Sequence, residues 1–125
     1  MLEATAMERK DKQQLVAKCI ERVLPVRDAL DVLSGKWKLA IIHALFWENR
    51  RFKEMQREVR GITAKVLSKE LKDLEMNELV QRTVYDTVPV TIEYSLTPYG
   101  RTLNPVITAL YNWGVAHRKR IIRKK

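Results

Sequence analysis

Residues 51–98, RFKEMQREVRGITAKVLSKELKDLEMNELVQRTVYDTVPVTIEYSLTP, constrain the fold of this chain more than any other stretch. Phe52, Met55, Val59 and Ile62 are spaced as one face of a short helix, and Gly61 permits a tight turn after it. Thr63 has the chemistry of an N-cap for a second helix. At about 100° per residue, Leu67, Leu71, Leu74 and Glu78 fall on one side of that helix. Lys65, Ser68, Lys69, Lys72 and Met76 fall on the other, flanked by the acids Glu70, Asp73 and Glu75. Two alternating segments follow. Leu79–Tyr85 is rich in β-branched and aromatic residues, and Ile92, Tyr94 and Leu96 alternate with Thr91, Glu93 and Ser95. Asp86-Thr87-Val88-Pro89 supplies the turn between them. This order is that of a helix-turn-helix followed by a β-wing.

A helix with one leucine face and one basic, acid-free face can sit on a core and present itself to phosphates and base edges. The second helix therefore reads as a DNA-recognition helix, with contacts expected from Thr63, Ala64, Lys65, Ser68, Lys69 and Lys72. Lys36, before the helix-turn-helix, joins them, and Arg82 and Thr91 in the wing are placed to touch the phosphate backbone. Two plainer readings stay open: a solvated helix laced by i,i+4 pairs, and a hairpin that only covers the core.

The rest of the chain is largely helical by pattern. Residues 7–23 carry a stripe of Leu15, Val16, Cys19, Ile20 and Val23. Pro25 suits the first turn of a new helix over Val26, Ala29, Leu30 and Leu33. Ser34-Gly35 breaks the pattern, with Ser34 placed to cap a helix whose apolar face is Trp37, Ala40, Ile41, Ala44 and Leu45. Thr97-Pro98 caps a last stretch carrying Tyr99, Leu103, Val106, Ile107, Leu110, Trp113 and Ile121. Pro105 should kink that stretch or end a first segment of it. The expected class is α+β, mostly α: one domain over 1–125, with an N-terminal helix (1–24), a winged core (25–97) and a C-terminal helix with a basic tail (98–125).

A chain of 125 residues can bury one core without disulfides or metal. Its net charge of +9 is mostly a tail effect. Six of the 24 basic residues lie in the last eight positions, so residues 1–117 carry only +3. The local lysine stripe is thus a better argument for nucleic acid than the global charge. No apolar run approaches the ~20 residues of a membrane span, and the N-terminus lacks the apolar stretch of a signal peptide. With one cysteine, these features point to the cytoplasm.

Enzyme chemistry finds no nucleophile–base set and no phosphate-binding glycine loop. His43 reads as a structural histidine, and one Cys with two distant His gives no metal spacing. No cofactor is expected. The three tryptophans read as core or dimer anchors. An RNA-binding reading lacks an aromatic stacking set. A protein-interaction module with a merely solvated lysine face stays open, and retention on heparin or random duplex with salt titration discriminates it.

The terminal helices bear on assembly. The stripes of Val16, Cys19, Ile20 and Val23, and of Ile107, Leu110 and Trp113, are remote in sequence from the winged core. Paired across a two-fold axis they would make a homodimer matched to a pseudo-palindromic operator. A monomer whose terminal helices cap its own core is the alternative. The arrangement leaves room for a small-molecule effector, of unknown identity, between the dimer helices and the winged core.

The segments PVRDALDVLSGKWKLAIIHAL, RFKEMQREVRGITAKVLSKELKDLEMNELVQRTVY, VPVTIEYSLTPYGRTL and NPVITALYNWG run in order over about residues 25–114. Together they resemble the HxlR-type winged helix-turn-helix regulators, related in fold to the MarR group. The resemblance implies a homodimeric bacterial transcription regulator, with a recognition helix near Thr63–Glu75, a wing near Arg82–Thr91 and dimer contacts through both terminal helices. Family members that sense oxidants or electrophiles carry a cysteine directly before the proline that opens the helix. Leu24 holds that position here, so thiol sensing does not carry over by position. Cys19, on an apolar stripe, reads as a small packing residue.

Overall fold

The computed structural model describes residues 6–124; residues 1–5 and Lys125 of the basic tail lie outside it. The chain divides into two compact units, residues 1–34 and 35–125, each taken by itself below.

The first unit is one long helix, α1, Ala6–Val32. Pro25 lies inside it and does not open a new helix. A proline there removes one amide donor and crowds the carbonyl four residues back. Residues 21–30 are all exposed, so solvent can take up the freed carbonyl. Ser34 does not cap the next helix either. Its hydroxyl donates to the Asp31 carbonyl at 2.9 Å, closing the end of α1.

The second unit begins at Gly35, whose φ of +94° suits a residue without a Cβ. Helices α2 (Lys38–Trp47), α3 (Phe52–Glu58) and α4 (Ala64–Met76) follow, then the antiparallel strands β1 (Val80–Tyr85) and β2 (Thr91–Leu96). The register pairs Val80 with Leu96 and Tyr85 with Thr91, so residues 86–90 form the loop. A short helix α5 (Pro98–Arg101) is capped by Thr97, whose Oγ1 accepts the Gly100 amide at 2.9 Å. The long helix α6 (Asn104–Lys124) then starts with Pro105 in its first turn, so the proline region separates two segments rather than kinking one.

The core draws on every element from α2 to β2. Ile41, Ile42, Leu45, Met55, Leu67, Leu71 and Leu74 are its fully buried large side chains. Burying each is worth about 1.5–3 kcal/mol. In α2 the buried face is rotated from the expected one: Ala40 is exposed, while Ile42 and Lys38 are buried. Arg50 adds a bridge to the wing, exchanging backbone hydrogen bonds with Tyr94 at 3.0 and 2.8 Å. Its Nε donates to the Ala44 carbonyl at 3.0 Å, tying the end of α2 to β2.

Glu78 does not extend the leucine face of α4. It sits past the helix end with φ +62°. The Leu79 amide donates to Leu74 O at 3.0 Å and the Glu78 amide to Glu75 O at 2.9 Å. These are the bonds of a Schellman terminus, in which the left-handed position usually belongs to glycine. Gly100 has a different reason to be glycine, because a Cβ there would lie 2.2 Å from the Leu79 carbonyl oxygen.

Candidate nucleic-acid interface

Local chemistry sets the position of α4. Gly61, at φ +87°, makes the turn from α3. Thr63 Oγ1 accepts the Val66 amide at 3.2 Å and starts the helix, whose first turn holds no acid. Leu67, Leu71 and Leu74 then anchor one side in the core. Opposite them Ala64, Lys65, Lys69 and Lys72 are exposed, and Ser68 is half-buried. Lys65, Lys69 and Lys72 make no ion pair among the described residues. The helix N-terminus adds its own partial positive charge on the side of Thr63 and Ala64.

Trp37, half-buried, brings the start of α2 to this turn: its ring edge lies 3.8 Å from where a Cβ on Gly61 would be. Lys36 is exposed, with its Nζ 4.8 Å above the Trp37 ring, a cation–π contact that holds the lysine beside the turn.

The wing separates its two candidates. Residues paired across an antiparallel ladder share a face, and the face alternates along each strand. Arg82 pairs with Tyr94, on the face of Val80 and Leu96; Thr91 pairs with Tyr85 on the other. Arg82 is nevertheless exposed, because the hairpin runs out beyond the core. Thr91 is half-buried, and its Oγ1 lies 3.1 Å from that of Thr87, whose hydroxyl also donates to the Pro89 carbonyl. Tyr85 donates to Glu93 Oε1 at 3.3 Å. The charge of Glu93, then that hydrogen bond and a small loss of hydration, raise the phenol pKa above its ordinary 10.0.

Sequence reasoning missed Lys38. It opens α2 with its side chain buried, and its Nζ donates to Glu70 Oε2 at 2.5 Å and to Asp73 Oδ2 at 3.4 Å. Burial pulls its pKa down, but hydrogen bonds and opposite charge from Glu70, then Asp73, outweigh that and leave it above the ordinary 10.5. The partners lie 32 and 35 residues away, so no local pattern announces them.

The residues considered for assembly are open in the single chain. On α1, Val16, Ile20 and Val23 are 56–59% exposed, and Cys19 is an exposed free thiol rather than a packed one. On α6 no residue is buried; Ile107 is half-buried, and Leu110 and Trp113 are 48% and 68% exposed. Trp113 stacks on His117 at 4.7 Å, and Trp47, also exposed, donates to His43 Nε2 at 3.4 Å, so neither indole is a core residue. A cleft of about 650 Å³ lies between α2 and α6, lined by His43, Phe46, Trp47, Arg101, Asn104, Ile107, Thr108 and Tyr111. That is the size of a small-molecule site. Among the described residues no helix is long and apolar enough to cross a membrane, and no three His, Cys, Asp or Glu side chains group as metal ligands.

Known proteins share this arrangement. The model of the HxlR-like helix-turn-helix family matches residues 32–121. The HTH-type transcriptional regulator YdeP of Bacillus subtilis (strain 168), itself uncharacterized, is 40% identical over 97 residues, 78% of this chain and 76% of its own length. Among solved structures, the redox regulator HypR in its reduced form superposes with a TM-score of 0.74 at 38% identity, over 79% of this chain and 98% of HypR. A MarR-family transcriptional regulator from Enterococcus faecalis V583 gives 0.73 at 34% identity, over 80% and 91%.

Proposed function

The chain belongs to the HxlR-like helix-turn-helix family, and on that premise we propose that it reads a specific DNA sequence as a homodimer. Its relatives are transcriptional regulators rather than enzymes, and it is a regulator with a winged helix-turn-helix. In the proposed complex α4 enters the major groove. Thr63, Ala64 and Lys65 approach base edges at its N-terminus, with Ser68 and Lys69 one turn on. Lys72, Lys36 and Arg82 face phosphates, which position the protein without reading sequence. Thr91, at the start of β2 with its hydroxyl 3.1 Å from that of Thr87, supports the wing tip. The observation that carries the reading is the lysine face of α4: three exposed cations, without an ion pair among the described residues, directly opposite three buried leucines.

Exposed apolar stripes support the dimer. Left uncovered, Val16, Ile20 and Val23 of α1 and Leu110 and Trp113 of α6 would give a soluble chain large apolar patches. A second copy covers them and presents two recognition helices to one side of a duplex. Half-sites are then inverted and about 10–10.5 base pairs apart, or a multiple of that. The reading reserves the cleft between α2 and α6 for an effector.

Selection of bound fragments from a random duplex pool tests the proposal, with Lys65→Ala and Lys69→Ala as probes. Each should weaken the selected site by about 1–3 kcal/mol and leave folding nearly unchanged, since neither side chain touches the leucine face. Wild-type affinity in both variants would remove α4 from the interface.

A further inference from the structure

Lys38 is the one charged or polar residue among the described residues that counts as buried, at 8% exposure. Both of its carboxylate partners lie on α4. That helix carries three lysines and three acids, so alone it offers a phosphate no net charge. Asp73 also stands at i+4 from Lys69, the spacing at which side chains on a helix pair. Left to itself, α4 would tend to quench its own DNA-facing lysine. In the structure no ion pair joins Asp73 to Lys69; Asp73 turns to Lys38 instead.

We infer that Lys38 is a positioning residue for DNA recognition: it holds Glu70 and Asp73 on the α2 side of α4 and so leaves Lys69 free for DNA. The inference deepens the DNA-binding reading and rests on it. Three observations converge on this role. Glu70 is nearly as sheltered as Lys38, with side-chain exposures of 14% and 10%, so the pair is little screened by salt. The two carboxylates are spaced i,i+3 and face one ammonium, which resists rotation of α4 about its axis as well as neutralising charge. The lysine also sits at the first position of α2, whose next turns carry the buried Ile41, Ile42 and Leu45, so its backbone is rigidly held.

The test uses the full chain and the tightest duplex recovered by selection. Lys38→Met should bind it roughly tenfold more weakly, as expected for the loss of one base-edge lysine. The slope of log affinity against log salt should flatten by about one, because Asp73 then offsets the positive charge that Lys69 brings to the duplex. Adding Asp73→Asn to Lys38→Met should restore both affinity and slope. Circular dichroism establishes that each variant is folded at the temperature of the assay. If Lys38→Met does not fold, Lys38→Gln, which keeps a donor for Glu70 without the charge, is read in the same way. A lowered melting temperature with wild-type affinity and slope would reduce Lys38 to a packing residue and overturn the inference, as would a double variant no better than the single. A wild-type chain that retains no duplex overturns the DNA-binding reading itself, whereas normal binding by the folded Lys38 variant overturns this inference alone.

Discussion

Helices α4 and α6 are both amphipathic and both rich in cations, yet they meet opposite fates. In thirteen residues α4 buries three leucines completely and turns its lysines outward. In twenty-one residues α6 buries none, and Leu110 and Trp113 stand in solvent. The periodicity of the apolar residues is of the same kind in each. What differs is whether this chain supplies something to cover the stripe. A 3.6-residue period states that a face will be covered and is silent about the cover. The contrast also divides the work: α4 contributes to the fold and carries the proposed interface at once, whereas the proposed use of the α6 stripe depends on a second copy.

The largest expected effect tests that division directly. Leu110→Asp puts a charge on the open stripe of α6, which should dissociate the proposed dimer without unfolding the chain. Losing the second half-site should cost operator affinity about 10²–10⁴-fold while binding to a single half-site persists. Sedimentation checks the premise, and a variant that stays dimeric would show that the stripe has another use. The same kind of change in α4, at the fully buried Leu71, should instead prevent folding.

Alkaline unfolding sharpens the α4 side. Because Lys38 titrates above its ordinary 10.5 when folded, the stabilisation from its pair is complete below that value. It fades as pH rises through the raised value. Urea unfolding across the alkaline range should therefore show wild type losing stability faster than Lys38→Met, which lacks the titrating group. Parallel curves would mean that the pair contributes nothing to folding.

A smaller gain is expected at the end of α4. Glu78 holds a left-handed conformation that favours glycine, so Glu78→Gly should stabilise the chain by about 1 kcal/mol. Thermal melting reads the shift, and a loss would show that the Glu78 side chain has an unseen partner. Smallest of all is the effect expected of Cys19→Ser. The thiol is exposed on α1, but Leu24 stands where the resemblance places a sensing cysteine, so binding to the selected duplex should be unchanged before and after mild oxidation. Oxidation that links wild-type chains covalently and abolishes binding, with the serine variant immune, would overturn this.

Much of the structure of the candidate interface was legible in the chain because it is local. The Thr63 cap, the 67/71/74 leucine stripe, the lysine face and the Gly61 turn each depend on neighbours within a turn or two, and all four stand in the structure. The elements that were misread depend on more distant surroundings. Pro25 was expected to start a helix and lies inside one, since an exposed helix can tolerate a lost donor. Ser34 turns back to Asp31 instead of forward to α2. The wing turn spans residues 86–90, one more than the four expected, and loop length determines which residues pair, so Arg82 and Thr91 lie on opposite faces of the hairpin. His43, read as a structural histidine, is exposed on the outer side of α2, where it accepts from Trp47.

By itself, then, the order of residues determined the helix-turn-helix, the wing and the basic face, since these follow from backbone periodicity, capping and charge at short separation. The tertiary structure alone decided the rotation of α2, the burial of Lys38 and its hold on Glu70 and Asp73. Those contacts join residues more than thirty positions apart. Their energy depends on desolvation and on distances of a few ångströms, which exist only once α2 and α4 are packed together.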